Sequence, residues 1–195
     1  MEKSTLVDEI GNFVLESAFK FSKNINEKLE NKVVVSVNIS AIQIVKNSFV
    51  RNIKKIIKRV EVNPRYIGLE ITESVLLQNM DESIGKIKEL KDIGVEIALD
   101  DFGTGYSSLS YLVKLPLSIL KIDKSFIWGM KESREYKTLV KLCVDTAHAL
   151  NLKVIAEGVE TECELKALKK MNVDYIQGYL FSKPVPEDII LEQFQ

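Results

Sequence analysis

Seven polar side chains close six short apolar runs: Asn38 ends VVVSVN, Glu70 ends YIGLE, Asp100 and Asp101 end VEIALDD, Lys121 ends SILK, Glu157 ends KVIAE and Gln177 ends YIQ. Taken singly, a strand-end Asp or Asn is most often a cap or turn former. Taken together, four carboxylates on one rim would repel one another and raise each other's pKa values unless cations sat among them. The donors are all oxygen, Asn38 included, with no His or Cys, which points to hard divalent ions such as magnesium or manganese. Asp101, adjacent to Asp100, is placed to bridge two such ions. A paired-ion site activates water and clamps the attacking and leaving oxygens of a phosphoryl group, so phosphodiester hydrolysis is the chemistry expected. Lys121 suits orienting that water, assisting its deprotonation or neutralising charge on the transferring group; an ion pair with the acidic rim accounts for it equally well.

Beyond Asp101 runs FGTGYSSLSYL, where Gly103, Thr104 and Gly105 make a pliable turn rich in backbone N–H groups, suited to closing over substrate or ion. Glu73, three residues past Glu70, is placed either to hold such a loop by accepting hydrogen bonds or to serve as an ordinary helix-start carboxylate. Other single residues take blander roles. His148 is expected at the surface or core edge of its helix, Tyr106, Phe126 and Trp128 as packing or loop anchors, and Lys54 to Arg59 as a solvated helix face.

The elements that must position these groups alternate strictly. Strands are predicted at Val33 to Asn38, Tyr66 to Glu70, Val95 to Asp100, Ser118 to Ile122, Lys153 to Glu157 and Asp174 to Gln177, nearly continuous in apolar residues as parallel strands covered on both faces are. Helices are predicted between them. One carries Phe49, Ile53, Ile56, Ile57 and Val60, and another carries Ile84, Ile87 and Leu90, entered at Asp81 and stopped by Gly94. A third carries Tyr136, Leu139, Val140, Cys143, Val144 and Ala147, and a fourth opens with a Thr161/Glu164 capping box. The chain opens with a helix from Leu6 to about Leu29, with Leu6, Ile10, Phe13, Val14 and Phe21 expected on its apolar side. One domain over residues 1–195, of six βα units, is expected. An open doubly wound sheet and a (β/α)8 barrel both fit this alternation, and the lack of an early Gly-x-Gly-x-x-Gly favours the barrel.

Composition narrows the class further. The chain has 195 residues, 46% hydrophobic and 28% charged, which excludes a mainly disordered state. A net charge of −1 supplies no field for a nucleic-acid backbone, so DNA is not an expected partner. No apolar run reaches the length of a membrane span. Cys143 and Cys163 have no close thiol or histidine partner in the sequence, so a reducing, cytoplasmic setting is expected, with membrane tethering of a longer protein left open.

The strings VSVNIS, LEITES, ALDDFGTGYSSLSYL, LKIDKSF, AEGVET and QGYLFSKPVP closely resemble the EAL domain of bacterial cyclic di-GMP phosphodiesterases, from about Glu2 to about Pro186. The resemblance implies a TIM-like barrel that hydrolyses cyclic di-GMP to linear pGpG with two magnesium or manganese ions. It assigns Asn38, Glu70, Asp100, Asp101 and Glu157 to the metals and Lys121 to the catalytic water. It assigns Gln177 to the water network or substrate, and Glu73 to bracing the loop from Phe102 to Tyr106. The family's opening two strands, with the Glu-x-Leu-x-Arg motif that supplies a further metal ligand and a phosphate-binding arginine, have no counterpart in this sequence. An incomplete barrel is therefore expected, with open strand edges favouring a homodimer or strand-edge association. The same family implies possible attachment to sensory or GGDEF-type domains. Set beside hydrolysis are two other readings: a cyclic di-GMP-binding or protein-docking module without turnover, and a metal-dependent barrel enzyme for another phosphate ester.

Overall fold

The structure is a computed structural model that describes residues 2–78, 80–103 and 112–193. Its elements run α1 (Glu2–Lys28), β1 (Val35–Ile39), α2 (Ala41–Ile44), α3 (Phe49–Val60), a 3-10 turn (Pro64–Tyr66), β2 (Ile67–Thr72), α4 (Glu73–Gln78), α5 (Met80–Asp92) and β3 (Glu96–Phe102). They continue with β4 (Ile119–Ile122), α6 (Lys124–Glu132), α7 (Arg134–Ala149), β5 (Lys153–Ala156), α8 (Glu162–Lys170), β6 (Tyr175–Ile176) and α9 (Glu187–Gln193). The strands follow sheet order β1-β2-β3-β4-β5-β6. This is the expected α/β alternation of six strands with helices, and every predicted strand is found within two residues of its predicted start.

Two compact units divide the chain. The first comprises Met1–Ile71, Val75–Ile97 and Pro186–Gln195. In it β1 and β2 pair in parallel, with Val37 opposite Leu69 and Asn38 opposite Glu70. Burial of Val37, Ile39, Ile67, Leu69 and Ile71 supplies the core; α1 packs on β1, and α3 packs on α1 and α5. The α5 stop falls where expected: Gly94 takes φ +101, which an L side chain rarely adopts, and the Val95 N–H turns back to the Leu90 carbonyl.

The opening helix corrects one expectation. Ile10, Phe13 and Val14 are exposed, and the buried stripe is Leu15, Phe19, Ser22, Ile25 and Asn26; the side chain of Leu6 lies outside the described residues. Counting apolar residues missed this face because two of its members are polar. Ser22 Oγ donates to the Tyr66 carbonyl at 2.9 Å. Asn26 Nδ2 donates to the Val33 carbonyl at 2.9 Å, and its Oδ1 accepts the Val33 N–H at 2.8 Å. Both satisfy backbone groups that burial would otherwise strand.

The second unit comprises Thr72–Ser74 and Ala98–Val185. Here β3, β4, β5 and β6 pair in parallel. Helix α7 packs on β4 and β5 through Val140, Val144 and Ala147, whereas Tyr136 and Leu139 of the predicted stripe are exposed and Cys143 is half-buried. A stripe that wide covers two neighbouring helix faces, and the sheet takes one. The α8 capping box forms as read: the Thr161 N–H donates to Glu164 Oε2 at 2.8 Å and Thr161 Oγ1 accepts the Glu164 N–H at 3.3 Å.

The strand β6 has only two paired residues, yet the chain beyond it stays in place. The Val159 N–H donates to the Gln177 carbonyl and the Leu180 N–H to the Val159 carbonyl, at 3.1 and 3.0 Å. Between those bonds a Cβ on Gly178 would lie 2.1 Å from the Val159 oxygen, so only glycine permits the approach.

Candidate metal centre

Consecutive strand residues normally point to opposite faces of a sheet, so Asp100 and Asp101 should diverge. They do not. The register of β3 against β4 shifts between Leu99 and Phe102, and Asp101 takes φ +55, a bulge that turns its side chain toward that of its neighbour. The Asp101 N–H donates to Asp100 Oδ1 at 3.1 Å. Glue for the third member comes from β5, whose end delivers Glu157. Carboxylate oxygens of Asp100, Asp101 and Glu157 all lie within 4.8 Å of one another.

Lys121, on β4 between these two strands, sends its ammonium into the group. Its Nζ lies 2.9 Å from Asp100 Oδ1 and 2.8 Å from Glu157 Oε1, and its side chain is 3% exposed. An ammonium so deeply buried is tolerated only when paired and hydrogen-bonded, which the two carboxylates provide. The ion-pair reading of Lys121 is thus what the structure displays. Burial pushes the Asp101 carboxyl above its ordinary range, and the charges of Asp100 and Asp123 add to the rise against the pull of Lys121 and Lys124.

The donor set fits a divalent cation. Three carboxylates converge, none of the donors is soft, and a cation among them would offset both the burial and the neighbouring charges that raise Asp101.

The other predicted residues fall as follows. Asn38 and Glu70, register partners on β1 and β2, sit side by side in the first unit, the former exposed and the latter half-buried. Gln177 follows β6 and is exposed, its N–H donating to the Ala156 carbonyl at 2.9 Å. Glu73 is buried in the first turn of α4. Gly103 takes φ +102; Thr104, Gly105 and Tyr106 lie outside the described residues. His148 is exposed at the surface of its helix, with Nε2 2.8 Å from Asp174 Oδ2.

One residue beside the site was not singled out from the sequence. Asp123 caps α6 by accepting the Ser125 N–H at 2.9 Å and adds its charge to the field at Asp101. Its signal was present as Asp-Lys-Ser at the start of an apolar helix.

Comparison with known proteins gives a consistent picture. The model of the EAL domain family matches residues 1–184. The chain is 35% identical over 185 residues to the Pseudomonas aeruginosa protein named cyclic di-GMP phosphodiesterase NbdA, covering 95% of this chain and 24% of the relative. It is 36% identical over 190 residues to the P. aeruginosa protein named bifunctional diguanylate cyclase/cyclic di-GMP phosphodiesterase MucR, covering 97% and 28%. The chain thus spans about a quarter of the length of these relatives. Among solved structures, one described as the PaMucR phosphodiesterase in complex with c-di-GMP superposes with a TM-score of 0.91 at 35% identity, covering 97% of this chain and 76% of that one.

Proposed function

Because the chain belongs to the EAL domain family, we propose that it serves the hydrolysis of cyclic di-GMP to linear pGpG with magnesium or manganese. The observation that carries this reading is the convergence of Asp100, Asp101 and Glu157 around Lys121. In this reading the three carboxylates hold divalent cations. Asn38 and Glu70 join the ligand set on motif position alone.

Bound ions supply an activated water and charge neutralisation at the phosphoryl group. The protein's own contribution is orientation. Asp100 and Glu157 fix the Lys121 ammonium by two hydrogen bonds, so that it is held ready to donate to the attacking water or to a phosphoryl oxygen without reorganising. Gln177 orders the water network or touches substrate. Glu73, buried in the first turn of α4, takes the loop-bracing role on motif position alone. A cytoplasmic setting belongs to the same reading, supported by two free cysteines; no helix among the described residues is long and apolar enough to cross a membrane.

The test is incubation of the full-length protein with cyclic di-GMP and manganese, followed by chromatography of the nucleotides. Linear product that disappears in Asp100→Asn supports hydrolysis. Calorimetric binding of cyclic di-GMP without product replaces it with a binding or regulatory module, and cleavage of other phosphodiesters in preference replaces the substrate.

A further inference from the structure

Neither turn that carries the acidic ligands is fixed by its strand alone. Asp101 sits in a bulge at φ +55, and β5 ends at Ala156, one residue before Glu157, whose N–H makes a single backbone bond to the Ile122 carbonyl. Helix α6, which starts three residues after Lys121, reaches both turns.

The ring of Phe126 lies against Gly103, two residues beyond Asp101. A Cβ at Gly103 would be 2.6 Å from Phe126 Cε2 and Cζ, so the ring occupies the room that the missing side chain leaves. On the other turn the Trp128 indole N–H donates to the Gly158 carbonyl, the residue after Glu157, at 2.9 Å. Gly158, at φ +66, presses on the same helix: a Cβ there would lie 2.4 Å from Lys124 Cβ. The Lys124 ammonium rests 5.4 Å from the centre of the Trp128 ring. Behind α6 stands α7, whose Tyr136 meets Phe126 edge to face at 6.0 Å and covers Gly129.

We infer that α6 is a spacer that sets the distance between the Asp101 and Glu157 carboxylates, and that Phe126 and Trp128 are positioning residues for the divalent-cation site. The inference rests on the reading of these carboxylates as ligands. The physical demand is strict, because metal–oxygen distances tolerate only about 0.2 Å of error. Groups that orient ligands from outside the coordination sphere typically change metal affinity by about 10–100-fold when removed.

The experiment measures Mn2+ affinity of the chain from the electron paramagnetic resonance signal of the free aquo ion. Trp128→Phe keeps the ring but loses the N–H donor, and Phe126→Leu removes the ring from Gly103. Both are expected to weaken Mn2+ binding about tenfold. Leu90→Ala, a fully buried position in α5, serves as control: it lowers thermal stability at least as much and leaves affinity within about twofold. Trp128 is the one tryptophan in the sequence, so in the unaltered chain its fluorescence follows the same Mn2+ titration curve. Unchanged affinity in both α6 variants overturns the spacer role while the ligand reading stands. A loss in Leu90→Ala equal to theirs overturns it as well, by reducing the effect to general destabilisation. Absence of Mn2+ binding in the unaltered chain overturns the ligand reading itself, and the spacer with it.

Discussion

The two ends of β5 hold clusters of similar ingredients in opposite balance. At its start one carboxylate, Asp174, serves two bases and a backbone donor: Lys153 Nζ at 2.7 Å, His148 Nε2 at 2.8 Å and the Val154 N–H at 3.0 Å. Burial alone would raise that carboxyl, but these three partners hold it at about 2. At the far end three carboxylates converge on Lys121, and Asp101 is pushed up. Where charge balances, the cluster staples β5 to the start of β6. Where negative charge is left in excess, at a cost to folding, the excess is what a cation would need.

The largest effect that would break this contrast is catalytic. Asp100→Asn in the full-length protein should lower cyclic di-GMP turnover by about 10³-fold or more, with circular dichroism unchanged. Unaltered rates would make the far cluster as structural as the near one. Next in size, Lys121→Met should destabilise the metal-free chain by about 3–5 kcal/mol in urea melts, since buried carboxylates lose their compensating charge. A negligible change would mean that water already screens the cluster.

Magnesium at roughly a hundred times its Kd should add about 2.7 kcal/mol to stability, a rise in Tm on the order of 5–10 °C for a chain of this size. The same increment should survive in Asp174→Asn, which touches only the balanced end; a halved increment would couple the two. The smallest effect belongs to Asp174 itself. Asp174→Asn should cost about 1–3 kcal/mol at neutral pH. Because the folded carboxyl titrates at about 2 against an ordinary 3.8, its contribution is fully present above pH 4 and fades as pH falls toward 2. Acid melts across that window should therefore bring the variant and the unaltered chain together.

Much of this frame was legible beforehand because covered parallel strands are nearly uninterrupted apolar runs, and six of those are present. Of the polar residues closing them, Asp100, Asp101, Lys121 and Glu157 come together in the structure. Less visible was how adjacent Asp100 and Asp101 converge, since period-two alternation separates neighbours and a bulge depends on register against β4. The inner face of α1 escaped because Ser22 and Asn26 are buried for their hydrogen bonds and not for their apolarity. Phe126 and Trp128 read correctly as anchors, but their partners, the glycines after Asp101 and Glu157, are far away in sequence.

The contact at Gly178 bears on how mutational tolerance maps should be interpreted here. With Val159 backbone 2.1 Å from where a methyl would stand, even alanine forces the two segments apart. A saturation screen scored on growth would therefore show this position strongly depleted on packing grounds alone. Intolerance next to Gln177 is steric in origin and should not be counted as a vote for chemistry.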